Sequence, residues 1–256
     1  MPEIRKVAVM GAGAMGAAIA AHVANAGIPV RLYDVASAGA AERNAIAAGA
    51  IARLLTTDPA PLMHRRNAEL ITAACVEDDL GLIADCDWII EAVIERIDIK
   101  QALYRQIEQA RRPNSIVSSN TSTIRLAALL ESLPESFARD FLITHFFNPP
   151  RYLRLLEVVP GPATRAEALA AVERFADFSL GKTVVRCKDT PGFIANRIGI
   201  YWLQCAVGKA IELGLRIEEA DAIMSKPIGV PKTGIFGLLD MTGIDLMPHV
   251  LSSMAA

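Results

Sequence analysis

Much is missing from this sequence, and each absence narrows what the chain does. Neither sign of charge dominates, with 26 lysines and arginines against 28 aspartates and glutamates. No basic stripe marks a nucleic-acid surface, so no nucleic-acid partner is expected. No apolar run reaches the roughly 20 residues of a membrane-spanning helix. The opening MPEIRK places charges where a signal peptide would begin its apolar core, so a cytoplasmic or matrix-like location is expected. Cysteine is sparse: Cys75, Cys86, Cys187 and Cys205 show neither CxxC spacing nor nearby histidines. They read as buried free thiols, and no metal site is expected. There is no internal repeat and no low-complexity tract. What is abundant is alanine, isoleucine, leucine and valine, within a hydrophobic content of 52%, the material of buried parallel strands and the helices that cover them. A chain of 256 residues buries a large core and suits one large domain with a smaller one.

The stretch that organises the rest lies near the start. The apolar run Val7-Ala8-Val9-Met10 leads into Gly11-Ala12-Gly13-Ala14-Met15-Gly16, and apolar residues then recur at helical spacing up to Gly27. This predicts a strand, a tight turn, a helix and a second strand, Val30-Arg31-Leu32-Tyr33, ending at Asp34. In such a unit Gly11 makes the turn, Gly13 admits a pyrophosphate to the backbone, and Gly16 lets the helix press on the strand. The helix N-terminus offers N–H groups and partial positive charge to phosphates. Asp34 stands where an acid accepts hydrogen bonds from an adenosine ribose and repels a 2′-phosphate, so NAD is favoured over NADP. The alternative is a glycine turn with only a packing role.

Further along, the pattern predicts a helix over residues 37–55, a break at Thr57-Asp58-Pro59-Ala60-Pro61, and a helix over residues 62–74. The last carries His64, Arg65 and Arg66, either a solvated face or a patch for substrate phosphates. A strand over residues 87–93 and a helix over 97–110 put Glu91 and Glu95 near the place of a nicotinamide ribose, with Lys100 within reach. A strand at 115–118 runs into Ser119-Asn120-Thr121-Ser122-Thr123, which either caps a helix over 124–133 or forms a polar shelf for a ligand. The strand 141–147 contains His145, and the turn Asn148-Pro149-Pro150 follows. Glu157 lies among leucines and valines, where a carboxylate is costly without a partner. His145 is its candidate partner, since a basic imidazole needs one ring nitrogen fixed by an acceptor; a histidine satisfied by a backbone carbonyl is the simpler alternative. A helix at 165–178 and a strand at 183–187 precede helices only, at 193–213, 217–225 and from about 236. The alternating half and the helical half are expected to be two domains, residues 1–187 and 188–256.

GAGAMG, SSNTST, HFFNPPRYLRLLE, CKDTPGFIANR and GVPKTGIFGLLDMTGID together resemble the L-3-hydroxyacyl-CoA dehydrogenases, in the family's order and over nearly the whole chain. The wording is nearest to long bacterial members that carry an enoyl-CoA hydratase region. The resemblance implies an α/β fold, a Rossmann-type, mostly parallel sheet with helices on both faces, followed by a smaller all-α domain that holds the substrate cleft and the dimer contact. It implies oxidation of a 3-hydroxyacyl-CoA to the 3-ketoacyl-CoA with NAD, in fatty-acid β-oxidation. By matching motifs, His145 is the general base, Glu157 orients it, Ser122 touches substrate and cofactor, and Asn196 steadies the reacting oxygen. NAD is expected to meet Gly11, Gly13, Ala14, Met15, Gly16, Asp34, Glu95, Lys100, Ser122 and Asn148. An acyl-CoA substrate and a homodimer are the implied partners. Members have further helices after the point matching Ala256, so the second domain is expected to be incomplete. Two other readings stay open, an NAD-dependent dehydrogenase of a small non-CoA hydroxy acid and a catalytically silent NAD-binding fragment.

Overall fold

The computed structural model describes residues 3–244. The chain forms two compact units, Met1–Asp189 and Thr190–Ala256. The first is built on eight strands, β1 (Val7–Met10), β2 (Val30–Asp34), β3 (Ile71–Cys75), β4 (Trp88–Glu91), β5 (Ile116–Ser119), β6 (Phe141–Phe146), β7 (Leu155–Pro160) and β8 (Thr183–Arg186). They form one sheet in the order β3-β2-β1-β4-β5-β6-β7-β8. Strands β1 to β6 run parallel to one another; β7 reverses against β6, and β8 follows β7 in parallel. Central strands such as VAVM and WIIE are buried along their whole length, as parallel strands covered on both faces require. The chain winds outward from β1 in both directions, to β2 on one side and β4 on the other. The carboxyl ends of these strands therefore face a topological switch point, the place where open α/β sheets bind ligands.

The connecting helices are α1 (Ala14–Asn25), α2 (Ala45–Leu54), α3 (Val76–Asp79), α4 (Ile97–Ala110), α5 (Leu126–Leu129), α6 (Glu135–Asp140) and α7 (Ala166–Phe178). Trp88 anchors the core, its ring 6.0 Å from that of Phe175 and nearly perpendicular to it. Its indole N–H donates to the Ser118 hydroxyl at 2.9 Å, and Ser118 lies 2.8 Å from the Thr144 hydroxyl. Three strands are thus joined by polar groups inside an apolar layer, each with a partner.

Three predicted helices differ. The one over residues 37–55 shrinks to α2, because Gly39 takes a positive φ and the Ser37 amide donates to the Arg43 carbonyl, closing a loop first. The one over 62–74 is a 3₁₀ turn, Arg65–Leu70, followed by the edge strand β3. Pairing with β2 overrode a helical pattern there, as tertiary context often does. The one over 124–133 is only α5, since Ser132 adopts a positive φ before Pro134 opens α6.

The second unit contains α8 (Ala195–Glu212), α9 (Ile217–Ile223) and α10 (Gly234–Thr242). Ala210, Ala220 and Ile235 form its small core against Trp202 and Leu203. The Asp221 carboxylate accepts from the Phe236 and Gly237 amides, satisfying the first turn of α10. The end of the helix expected from residue 236 onward, past residue 244, lies outside the described residues. Cys205, expected to be buried, is exposed on α8, whereas the other three thiols are buried. Among the described residues no helix is long and apolar enough to cross a membrane, and no cluster of metal-ligating side chains occurs.

His22, on the inner face of α1, is buried, and its pKa is lowered to about 4 by that burial and then by the nearby Lys182 charge. A histidine kept neutral when folded but titrating near 6.5 when unfolded gives stability that is complete above pH 6.5 and is lost as pH falls toward 4. Wild-type protein should lose about 3 kcal/mol across that window through this residue. Urea titrations at a series of pH values should show a correspondingly shallower acid slope in His22→Leu; identical slopes would contradict the assignment.

Candidate active site

The carboxyl end of β1 sets the first part of the site. Gly11 has φ +105°, and a Cβ on it would lie 2.6 Å from the Ala92 carbonyl oxygen. A Cβ on Gly16 would lie 1.8 Å from the Gly11 carbonyl oxygen. Both glycines are therefore required by close backbone approach. Gly13 is different, because a Cβ there would meet nothing within 4 Å. The open side of the turn faces the N-terminus of α1, which no side chain caps. Its first N–H groups, from Ala14, Met15 and Gly16, remain for an anion.

Asp34 closes this turn from β2. Its Oδ2 accepts from the Ala12 amide at 2.6 Å and its Oδ1 from the Val35 amide at 2.8 Å. Each oxygen keeps a lone pair for a ligand hydroxyl. A cleft of about 580 Å³ lies beside it, lined by Gly11, Asp34, Val35, Glu77, Val93 and Leu103 among others. A second, of about 410 Å³, brings Gly13 and Ala14 together with Asp58 and Asn148. Uncapped amides, an open Gly13, a carboxylate with spare lone pairs and an apolar slot fit a dinucleotide with a free 2′-hydroxyl.

The end of β4 carries the second part. Glu91 is completely buried and is met by four donors: Lys100 Nζ at 2.6 Å, the Tyr104 hydroxyl at 2.5 Å, the Ser119 hydroxyl at 2.7 Å and the Val93 amide at 2.8 Å. Burial, and then the Glu91 charge, push the Tyr104 phenol well above its usual pKa, which keeps it a donor. Lys100, only 1% exposed, also reaches Glu95 Oε2 at 3.2 Å. Its ammonium is inside the protein, bridging two acids. Glu91 is likewise an interior acid and does not face the cleft.

Glu95 gathers the polar segment after β5. Its Oε1 accepts from the Thr121 hydroxyl, from the Ser122 and Thr123 amides at 3.2 and 3.3 Å, and from the Thr123 hydroxyl at 3.2 Å. Burial opposes its charge, but Lys100 and the Thr121 hydroxyl outweigh that and hold its carboxyl below the usual range. The segment is thus shaped around a carboxylate and does not cap α5. The Asp189 carboxylate does that, accepting from the Leu126 and Ala127 amides at 2.7 and 3.2 Å. No protein hydrogen bond among the described residues engages the Ser122 hydroxyl. Asn120 Oδ1 accepts from the Phe146 amide at 2.9 Å, which ties the segment to β6.

On β6, His145 stands directly opposite Glu157 of β7 in the antiparallel register. Its Nδ1 is 2.8 Å from Glu157 Oε2, and both side chains are buried. The Phe147 ring packs 4.5 Å from the imidazole. A carboxylate accepting the Nδ1 proton fixes the tautomer whose Nε2 takes up a proton. Asn196 is the second residue of α8, in the other unit.

Sequence reasoning missed Tyr104, and it placed Ser119 on the polar shelf rather than on Glu91. The i, i+4 spacing of Lys100 and Tyr104 on α4 was the available signal, since it puts both on one face. Of the basic cluster, His64 Nδ1 accepts from the Arg66 amide and Arg65 donates to the Leu55 carbonyl, all on an exposed turn.

Residues 6–190 match the family model "3-hydroxyacyl-CoA dehydrogenase, NAD binding domain", and residues 192–256 match "3-hydroxyacyl-CoA dehydrogenase, C-terminal domain". A protein of Deinococcus radiodurans named "Probable 3-hydroxyacyl-CoA dehydrogenase" is 41% identical over 252 residues, 98% of this chain and 73% of that protein. One of the same name from Bacillus subtilis is 41% identical over 262 residues, 97% of this chain and 33% of its own length. This chain thus spans about a third of several relatives it matches. Among solved structures, the (S)-3-hydroxybutyryl-CoA dehydrogenase of Ralstonia eutropha superposes with TM-score 0.81 at 30% identity, covering 98% of this chain and 87% of that one.

Removing one member of a buried ion pair leaves the other uncompensated, at about 3–5 kcal/mol. Lys100→Met should lower stability by about that amount in urea denaturation at neutral pH, and adding Glu91→Gln should recover part of it. A loss in Lys100→Met below about 1 kcal/mol would contradict the weight given to this ion pair.

Proposed function

The chain belongs to the 3-hydroxyacyl-CoA dehydrogenase family, and on that footing we propose that it oxidises an L-3-hydroxyacyl-CoA to the 3-ketoacyl-CoA, in fatty-acid β-oxidation. The observation that carries the reading is the buried pair of His145 and Glu157, 2.8 Å apart, in the same sheet as a strand end that fits a dinucleotide.

His145 takes the proton of the C3 hydroxyl on Nε2. Glu157 accepts the Nδ1 proton throughout, holds the ring in place and stabilises the imidazolium that forms. Bound NAD supplies the hydride acceptor, nicotinamide C4, for the hydrogen that leaves substrate C3. Gly13 and the α1 amides hold the pyrophosphate, and Asp34 takes the adenosine ribose. Lys100 acts through Glu95, whose carboxylate sets the 121–123 backbone and so presents the Ser122 hydroxyl to substrate and cofactor. Asn148, across the second cleft from Gly13, completes the cofactor contacts. Asn196 donates to the reacting oxygen, where a correctly aimed donor opposes developing charge.

The division of labour follows the expected domains. Residues 1–187 hold NAD; residues 188–256 contribute to the substrate cleft and to a homodimer, and the protein works in the cytoplasm.

Activity is tested by following NADH absorbance with acetoacetyl-CoA and, separately, with free acetoacetate. Turnover of the CoA ester alone supports the proposal; equal use of the free acid would favour a non-CoA dehydrogenase. His145→Gln should cut kcat by ~10²–10⁴-fold, the usual worth of a general base. Its NADH affinity, read by fluorescence titration, should stay close to wild type. Lost NADH binding with normal turnover would overturn the assignment of His145.

A further inference from the structure

The family reading explains Asp34 but not the acidic turn beside it. Asp34 and Cys75 are cross-strand partners on β2 and β3, so α3, with Glu77, Asp78 and Asp79 in succession, begins next to the adenosine end of the cleft. Glu77 lines that cleft together with Asp34. Its Oε2 accepts from the Cys75 thiol at 3.0 Å and from the Ala36 amide at 2.8 Å. The thiol contact holds the Glu77 carboxyl below its usual pKa. It is a fixed negative charge, two residues along from Asp34 through Ala36.

The loop that leaves Asp34 contains one arginine, Arg43, and its carbonyl accepts from the Ser37 amide at 3.0 Å. A cation in this loop is what a 2′-phosphate needs, because an arginine there receives the dianion in NADP-binding members of this architecture. Here the guanidinium is committed elsewhere. Arg43 Nε donates to Asp78 Oδ2 at 2.5 Å and its terminal nitrogen to Oδ1 at 3.1 Å, the fork-on-carboxylate arrangement that a phosphate would otherwise occupy. Both partners are solvent-accessible, so the pair is a matter of positioning rather than of core stability.

We propose that Asp78 is a specificity-determining residue that works by capturing Arg43, so that exclusion of a 2′-phosphorylated dinucleotide rests on a latch as well as on Asp34. The inference depends on the dinucleotide reading above. It explains why two carboxylates, Asp34 and Glu77, line the ribose end while the one arginine of the preceding loop is paired with Asp78. It also implies that altering Asp34 alone leaves NADP poorly bound, since repulsion falls but no cation is released.

The test uses direct binding. Dissociation constants for NADH and NADPH are measured by the fluorescence of the reduced nicotinamide, in wild type and in an Asp34→Ser background, which removes the carboxylate. In that background Asp78→Asn should improve the NADPH-to-NADH affinity ratio about tenfold, roughly one phosphate–arginine contact. Adding Arg43→Ala should abolish the gain. A change below twofold on Asp78→Asn, or a gain that survives Arg43→Ala, overturns the latch while leaving the dehydrogenase reading intact. Wild type that binds neither dinucleotide overturns both. Arg43 and Asp78 are exposed and Asp34 is half-buried, and circular-dichroism melts confirm that each variant is folded.

Discussion

A carboxylate completely removed from water is the constraint around which this unit is arranged. Glu91 ends the strand at the switch point, and its charge is tolerable only because an ammonium, a phenol, a hydroxyl and a backbone amide all converge on it. Those donors come from α4, from the turn after β4 and from the end of β5. Satisfying one charge therefore fixes three elements at the mouth of the cleft. Lys100 passes the constraint on to Glu95, and Glu95 shapes the backbone of residues 121–123. The polar segment at the end of β5 is held in place by a chain of charges behind it.

The second constraint is the change of strand direction. Six strands run parallel and deliver their carboxyl ends to one edge, but the candidate base and its acid sit on neighbouring strands, β6 and β7, that run in opposite directions. In the register of this antiparallel pair the two residues stand directly opposite one another, with their side chains on the same face and within hydrogen-bond reach. The reversal joins the two residues without any loop having to carry either.

Where the sequence was legible, a strong local rule and the tertiary structure agreed. The glycine turn, Asp34 at the end of β2 and the helix over Ile97–Ala110 follow from sterics and from apolar periodicity, and the structure departs little from them. The pairing of His145 with Glu157 was inferable because a buried acid needs a partner. Legibility failed where local and tertiary preferences diverged. Residues 62–74 carry helical spacing, yet Ile71–Cys75 completes the sheet edge. The role of the polar segment 119–123 was ambiguous because its true organiser, Glu95, lies 26 residues before Thr121 in the chain. Asp189, 63 residues from the amide it caps, is invisible to any local rule.

The register between β6 and β7 has a bearing on how such a chain tolerates insertions and deletions. Successive side chains along a strand alternate between faces. One residue gained in β7 ahead of Glu157 would turn its carboxylate to the opposite face of the sheet. Two would restore the face but carry the acid about 7 Å along the strand, beyond reach of the imidazole. Length in this strand is thus governed by parity as well as by amount. The turn between the strands answers to a different rule: Phe147 packs on the imidazole, Asn148 lines the second cleft and Arg151 donates to the Ala60 and Leu62 carbonyls, so length there is set by contacts rather than by parity.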